Sequence, residues 1–111
     1  MGGPMARCLL REGFPLKVWN RTHSKAESLK ELGATVLDSP SEAVKDAKVL
    51  ITMLKDGPAV DEVVFRQGVA TDLPPRSIHV DMGSIGLDEA VEHGERHAIR
   101  GIRYLDAPVS G

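Results

Sequence analysis

Short apolar segments of two kinds alternate along this chain, some spaced as one face of a helix and some continuous. Met5, Ala6, Leu9 and Leu10 recur at helical spacing, and Gly13 follows as a stop. Leu16-Lys17-Val18-Trp19 predicts a short strand. Residues 23–32 predict a helix closed by Gly33, and Ala34-Thr35-Val36-Leu37 the next strand. Ser39-Pro40-Ser41-Glu42 reads as a helix start, with a serine cap, proline at the first helical position and glutamate three after the cap. That helix is expected to end near Ala47. Val49-Leu50-Ile51-Thr52-Met53-Leu54 is apolar without alternation, as expected of a strand covered on both faces. Pro58 opens a helix carrying Val60, Val63 and Val64 on one face, and Ser77-Ile78-His79-Val80-Asp81-Met82 is a further strand. Leu87, Ala90, Val91, Gly94 and Ala98 are predicted to form the buried stripe of a helix, before a last strand at Ile102-Arg103-Tyr104-Leu105. The order αβαβαβαβαβ predicts a parallel α/β sheet with right-handed crossovers. A doubly wound domain begins with a strand, whereas this pattern begins with a helix.

At 111 residues the pattern fits one domain, residues 1–111, large enough for a single core. A net charge of -2 gives no support for nucleic acid or an anionic membrane as partner. The longest apolar run, Val49 to Leu54, is far short of the roughly 20 residues that span a bilayer. Cys8 is the single cysteine, so no internal disulfide forms, and a reducing cytoplasmic setting is expected.

Chemistry concentrates in the turns. In dinucleotide-binding folds the first strand runs into a glycine-rich turn whose following helix N-terminus holds the pyrophosphate. Met1-Gly2-Gly3-Pro4-Met5-Ala6 reads as the tail of such a turn, with Gly2 as its last glycine; an ordinary glycine-bearing helix start is an equal alternative. About 20 residues on, at the end of the second strand, an acidic side chain would bind the ribose 2′-OH of NAD. Here Trp19 is followed by Asn20-Arg21-Thr22, with His23 and Lys25 close by. Arg21 can hold a 2′-phosphate bidentately, and Thr22 can cap the next helix and donate to a phosphate oxygen. The cofactor expected is therefore NADP rather than NAD; the competing reading is a helix cap beside a solvated arginine. The closing Asp106-Ala107-Pro108-Val109-Ser110-Gly111 joins a strand end to a small polar loop and forms a plausible seat for a substrate carboxylate.

Four segments together resemble the cofactor domain of the β-hydroxyacid dehydrogenases: residues 1–6, Val18-Trp19-Asn20-Arg21-Thr22, Val80-Asp81-Met82-Gly83-Ser84, and residues 105–111. That family includes 3-hydroxyisobutyrate dehydrogenase, tartronate semialdehyde reductase and the glyoxylate/succinic semialdehyde reductases, with 6-phosphogluconate dehydrogenase more distant. The resemblance implies a Rossmann-like doubly wound parallel sheet whose first strand is missing. It places Met1 and Gly2 at the pyrophosphate and Asn20, Arg21 and Thr22 at the adenosine 2′-phosphate. Met53, Leu54 and Lys55 fall near the nicotinamide ribose, although the family commonly has proline at Lys55. Ala59 falls at a position that is often asparagine, leaving backbone or van der Waals contact; Ser84 falls close to the nicotinamide. Ser110 and Gly111 match a substrate-anchoring loop. The implied activity is hydride transfer between NADP(H) and a small β-hydroxyacid or semialdehyde in a homo-oligomeric parent enzyme. The family's catalytic lysine belongs to a helical second domain outside residues 1–111. The alternative is a non-catalytic NADP-binding or interaction module.

Other candidates are read as structural. His93 and His97 could share a metal but lack a third ligand, and a solvated face with Glu92, Glu95 and Arg96 is expected. Cys8 is expected as buried packing, and Asp81 and Asp106 as hydrogen-bond partners of nearby loops. Trp19 could edge an adenine pocket or pack in the core. A missing central strand with about five buried apolar side chains would remove roughly 10 kcal/mol, comparable with a typical domain's stability of about 5–15 kcal/mol. The chain alone is therefore expected to be poorly folded, re-paired or aggregation-prone, without turnover.

Overall fold

The computed structural model describes residues 2–108. The chain divides into two compact units, Met1–Ala43 and Val44–Gly111, each built on its own parallel sheet. This is the expected α/β class, with no strand before the first helix among the described residues.

The first unit runs α1 (Gly2–Arg11), β1 (Lys17–Val18), α2 (His23–Lys30), β2 (Thr35–Val36) and α3 (Pro40–Ala43). β1 and β2 pair in parallel, Lys17 against Thr35 and Val18 against Val36. Ala26 and Leu29 of α2 are buried with Ala34. Gly33, at φ +106°, turns the chain as the sequence pattern requires, while the Ala34 N–H donates to Leu29 O at 3.1 Å. The Ser39 hydroxyl accepts from the Glu42 N–H at 3.3 Å, so the expected cap forms, but α3 ends at Ala43 rather than near Ala47. Cys8 is exposed, contrary to the packed position expected of it. α1 turns Met5, Ala6, Leu9 and Leu10 inward, and Cys8 falls on the other side of that stripe.

The second unit runs β3 (Val49–Thr52), α4 (Gly57–Val60), a π-helical turn (Asp61–Arg66), α5 (Val69–Asp72), β4 (Ile78–Asp81), α6 (Leu87–Ala98) and β5 (Arg103–Asp106). Its strands pair in the order β3-β4-β5, all parallel. Val60, Val63, Val64, Val69, Ala70 and Leu73 form the apolar core beneath the sheet. The π-helical turn is tied to α6 through Asp61, which accepts from Arg96 at 2.6 Å and Arg66 at 3.2 Å. Arg96 holds the Asp61 carboxyl below its ordinary value, first by that hydrogen bond. The same guanidinium lies 3.8 Å over the Phe65 ring.

Register decides which sheet face is polar. Leu50 opposes His79 and Tyr104, and Thr52 opposes Asp81 and Asp106. Alternation therefore puts Thr52, His79, Asp81 and Tyr104 on one face, where the Thr52 Oγ1 lies 2.8 Å from His79 Nε2. His79 Nδ1 is in turn 2.9 Å from His97 Nε2 of α6. Two expectations are corrected here. The buried stripe of α6 is Ala90, His93 and His97, whereas Leu87 is 79% exposed and Val91 53% exposed. His93 and His97 are thus core residues instead of a solvated face. A hydrogen-bonding imidazole on the strand needs one on the helix, and that pairing turns α6 away from its most apolar side. The opposite sheet face, expected to be covered, is open: Val49, Ile51 and Leu105 are 52%, 42% and 54% exposed.

Both imidazoles of the pair are held neutral. Burial pushes His79 down to about 3, with the neighbouring His97 and His93 adding to it. Burial likewise pushes His97 down to about 4, aided by His93, Arg100 and Arg96. Both folded values lie below the unfolded value of about 6.5. The native state therefore binds fewer protons than the unfolded chain below pH 6.5, and stability falls as pH drops from 6.5 to about 4 for His97 and to about 3 for His79. The expected slope approaches 1.4 kcal/mol per pH unit for each histidine. Denaturant titrations between pH 4 and 8 check it, and replacing both histidines with leucine should flatten the slope.

Candidate functional site

Parallel α/β sheets gather chemistry at the carboxyl ends of their strands, where loops rather than ladders occupy the backbone donors. In the first unit that end is the turn after β1. Asn20 Oδ1 accepts from the Thr22 N–H at 3.1 Å, an Asx turn that fixes the path between strand and α2. Thr22 occupies the N-cap position but makes no side-chain cap hydrogen bond, so the capping role expected of it is not realised. Asn20, Arg21 and Thr22 are all exposed. No acidic residue lies between Lys17 and Ala26, and Arg21 has no carboxylate partner among the described residues. An exposed guanidinium beside a turn held by an Asx hydrogen bond has the chemistry to pair with a phosphate group. Trp19 is half-buried. At the start of α1, Gly2 opens the helix; Met1, Ser110 and Gly111 lie outside the described residues.

In the second unit the ends of all three strands meet. The Met82 N–H donates to Thr52 O at 2.9 Å, and the Ala107 N–H to Asp81 O at 2.9 Å. These bonds extend the ladders past the strands and draw the three exit loops together. Met53 and Leu54 are half-buried and Lys55 is exposed after β3; Ser84 is exposed after β4. Between them sits Gly83, where a Cβ would overlap the carbonyl oxygen of Leu54. The loops carrying Leu54 and Ser84 thus touch backbone to backbone, which only glycine permits.

Asp81 organises this junction from below. Its carboxylate is fully buried; Oδ1 accepts from the Gly83 N–H at 3.1 Å and Oδ2 from the Tyr104 hydroxyl at 3.0 Å. The structural role expected of Asp81 is realised, while the Asp106 side chain is exposed. Burial raises the Tyr104 hydroxyl well above its ordinary value, and the Asp81 charge raises it further. It is therefore a permanent donor. Ala59 is buried in α4 and its N–H is already given to Asp56 Oδ1 at 2.9 Å, which leaves it van der Waals contact alone. Beside it, a Cβ on Gly57 would overlap the Glu89 carboxylate, whose Oε1 accepts from the Gly86 N–H at 3.1 Å. Among the described residues no three His, Cys, Asp or Glu side chains form a metal site, and no helix is long and apolar enough to cross a membrane.

Tyr104, Asp56 and Glu89 did not stand out in the sequence, and Gly83 entered only within the segment 80–84, with no role of its own. Asp56-Gly57-Pro58 does carry a visible cap signal, aspartate followed by proline in the first turn. The Tyr104–Asp81 bond spans 23 residues and leaves no local trace.

Comparison with known proteins points the same way. The family described as the NAD binding domain of 6-phosphogluconate dehydrogenase matches residues 1–111. Glyoxylate/succinic semialdehyde reductase 1 of Arabidopsis thaliana is 38% identical over the whole chain, which spans 39% of that protein. The 3-hydroxyisobutyrate dehydrogenase of Mycobacterium tuberculosis, solved with L-serine, superposes with a TM-score of 0.93 at 31% identity, over all of this chain and 38% of its own. An imine reductase from Myxococcus stipitatus in complex with NADP+ gives a TM-score of 0.87 at 29% identity, over 94% of this chain and 36% of its own. The chain thus spans about two fifths of the length of each of these three relatives.

The two glycine contacts predict different costs. Gly83→Ala forces backbone against backbone and should destabilise by about 1–3 kcal/mol. Gly57→Ala meets only the movable end of Glu89 and should cost less. Urea unfolding of both variants checks the ranking, which is reversed if Gly57 is the stiffer position.

Proposed function

The chain belongs to the family of 6-phosphogluconate dehydrogenase NAD-binding domains, among the β-hydroxyacid dehydrogenases, and from that membership we propose that it binds NADP(H). In this reading it is the cofactor-binding part of an oxidoreductase that moves hydride between NADP(H) and a small β-hydroxyacid or semialdehyde. The observation that carries the cofactor preference is the Asn20-Arg21-Thr22 turn, an exposed guanidinium with no carboxylate partner among the described residues. The NADP+ complex of the Myxococcus imine reductase supports the cofactor assignment, and the semialdehyde in the name of the Arabidopsis relative supports the substrate class.

Each residue has a part in this reading. Arg21 holds the 2′-phosphate through two parallel N–H donors, with the Thr22 hydroxyl as a further donor and Asn20 fixing the turn between them. Met1 and Gly2 lie at the pyrophosphate, where the N-terminus of α1 offers unpaired N–H groups. Met53, Leu54, Lys55 and Ser84 line the nicotinamide-ribose end, and Ala59 packs beside it. Ser110 and Gly111 anchor the substrate carboxylate. When bound, NADP(H) supplies the hydride donor or acceptor. The residues of this chain bind and orient it, and the proton is handled outside residues 1–111. A cytoplasmic setting and a homo-oligomeric parent complete the reading.

Calorimetric titration with NADPH and NADH tests it. NADPH should bind more tightly than NADH, and Arg21→Gln should weaken NADPH by about 10- to 100-fold, the worth of a charge-assisted contact. NADH binding should be unchanged by that substitution. Equal affinity for both cofactors in the native protein would sink the NADP assignment.

A further inference from the structure

We propose that Tyr104 and Asp81 are positioning residues for the nicotinamide end of the cofactor, setting the Gly83–Ser84 backbone against Leu54 from beneath the sheet. The inference rests on the NADP(H) reading above and adds to it two side chains that touch no ligand.

The argument begins with the junction itself. Leu54 and Ser84 sit on exit loops of neighbouring strands, and their separation depends on how closely Gly83 approaches the Leu54 carbonyl. Gly83 has one backbone donor to anchor it, and that N–H goes to Asp81 Oδ1 at 3.1 Å. A carboxylate holding one bond can still rotate about its Cβ–Cγ axis. The second bond, from the Tyr104 hydroxyl to Oδ2 at 3.0 Å, removes that freedom. Asp81 has no exposure to solvent, so water cannot replace the hydroxyl without opening the fold.

Tyr104 is in turn fixed by its ring rather than by its hydroxyl. The ring stacks on His97, centroids 5.8 Å apart at 29°, and meets His79 edge-on at 5.3 Å and 69°. Gly94 of α6 leaves room for it, the nearest ring carbon lying at ordinary contact distance from where a Cβ would stand. Removing the hydroxyl therefore leaves the ring seated. Tyr104 pairs directly with His79 in register and reaches Asp81 diagonally across the ladder. A rigid imidazole-and-phenol layer thus sets one carboxylate, and that carboxylate sets the loop above it. Sites held this way are placed by what packs behind them.

The test separates the two ends of the cofactor. 2′,5′-ADP carries only the half that Asn20, Arg21 and Thr22 would hold, in the other compact unit; NADPH carries both. Tyr104→Phe should bind 2′,5′-ADP as the native protein does, weaken NADPH about tenfold, and reduce the fluorescence enhancement of bound NADPH. Gly83→Ala, which alters the junction without touching Tyr104, should show the same split. The double variant should be no weaker than the worse single one, because both act on one contact. Equal loss of both ligands together with a lowered Tm would mean a merely structural role and overturn the proposal, as would unchanged NADPH binding in Tyr104→Phe. Native protein that binds neither ligand would overturn the NADP(H) reading itself, a result distinct from either.

Discussion

Asp81 is a carboxylate sealed from water at the end of the central strand β4, and such a group persists only if its oxygens are answered. The two partners it has come from different levels of the structure. The Gly83 N–H is local, two residues on, and shapes the loop after β4. The Tyr104 hydroxyl arrives from the neighbouring strand and depends on the register of β4 with β5. Shifting that register by one residue would turn Tyr104 to the other face and leave a buried oxygen unpaired. Strand pairing, loop shape and the close approach of Gly83 to Leu54 are therefore one constraint. The exit loops of β3 and β4 meet where this carboxylate is satisfied.

The same face explains the inversion of the second unit. Thr52, His79, Asp81 and Tyr104 are polar or amphipathic, yet they meet α6, while Val49, Ile51 and Leu105 face outward. The hydrogen bonds between Thr52 and His79 and between His79 and His97 are what make this affordable in free energy. A proton shared between two neutral rings leaves one ring nitrogen over, and His97 Nδ1 has no partner among the described residues. The tautomer in which His97 donates through Nε2 leaves an acceptor unpaired there rather than a donor. Adding a proton to either ring would bury a cation beside His93, so both rings stay neutral. Local polarity and global packing are thereby coupled, and α6 presents histidines where its hydropathy pattern alone would present Leu87 and Val91.

Recognition in the first unit obeys a simpler rule. The turn after β1 is short, and its side chains are exposed and held by one Asx hydrogen bond. Little tertiary structure intervenes between residue type and chemistry there. That is why the exposed turn at Asn20-Arg21-Thr22, the α2 stop at Gly33 and the Ser39 cap can all be read from a string of letters. Each depends on residues within five positions of one another. The π-helical turn at Asp61–Arg66 was invisible for the opposite reason. Its first residue, Asp61, is held against α6 by Arg96, 35 residues away.

By itself the sequence determined the α/β class, the five strands in their order and the family, because helix periodicity, caps and turn residues act over short separations; the single helix it predicted between β3 and β4 is α4, a π-helical turn and α5. Tertiary structure alone decided which face of α6 is buried, that Cys8 is exposed, that one face of the β3-β4-β5 sheet is open, and that Tyr104 stands behind Asp81. Those outcomes depend on strand register and on the pairing of buried polar atoms across tens of residues. A buried donor accepts only the partner that the fold brings to it, and no local pattern records which one that is.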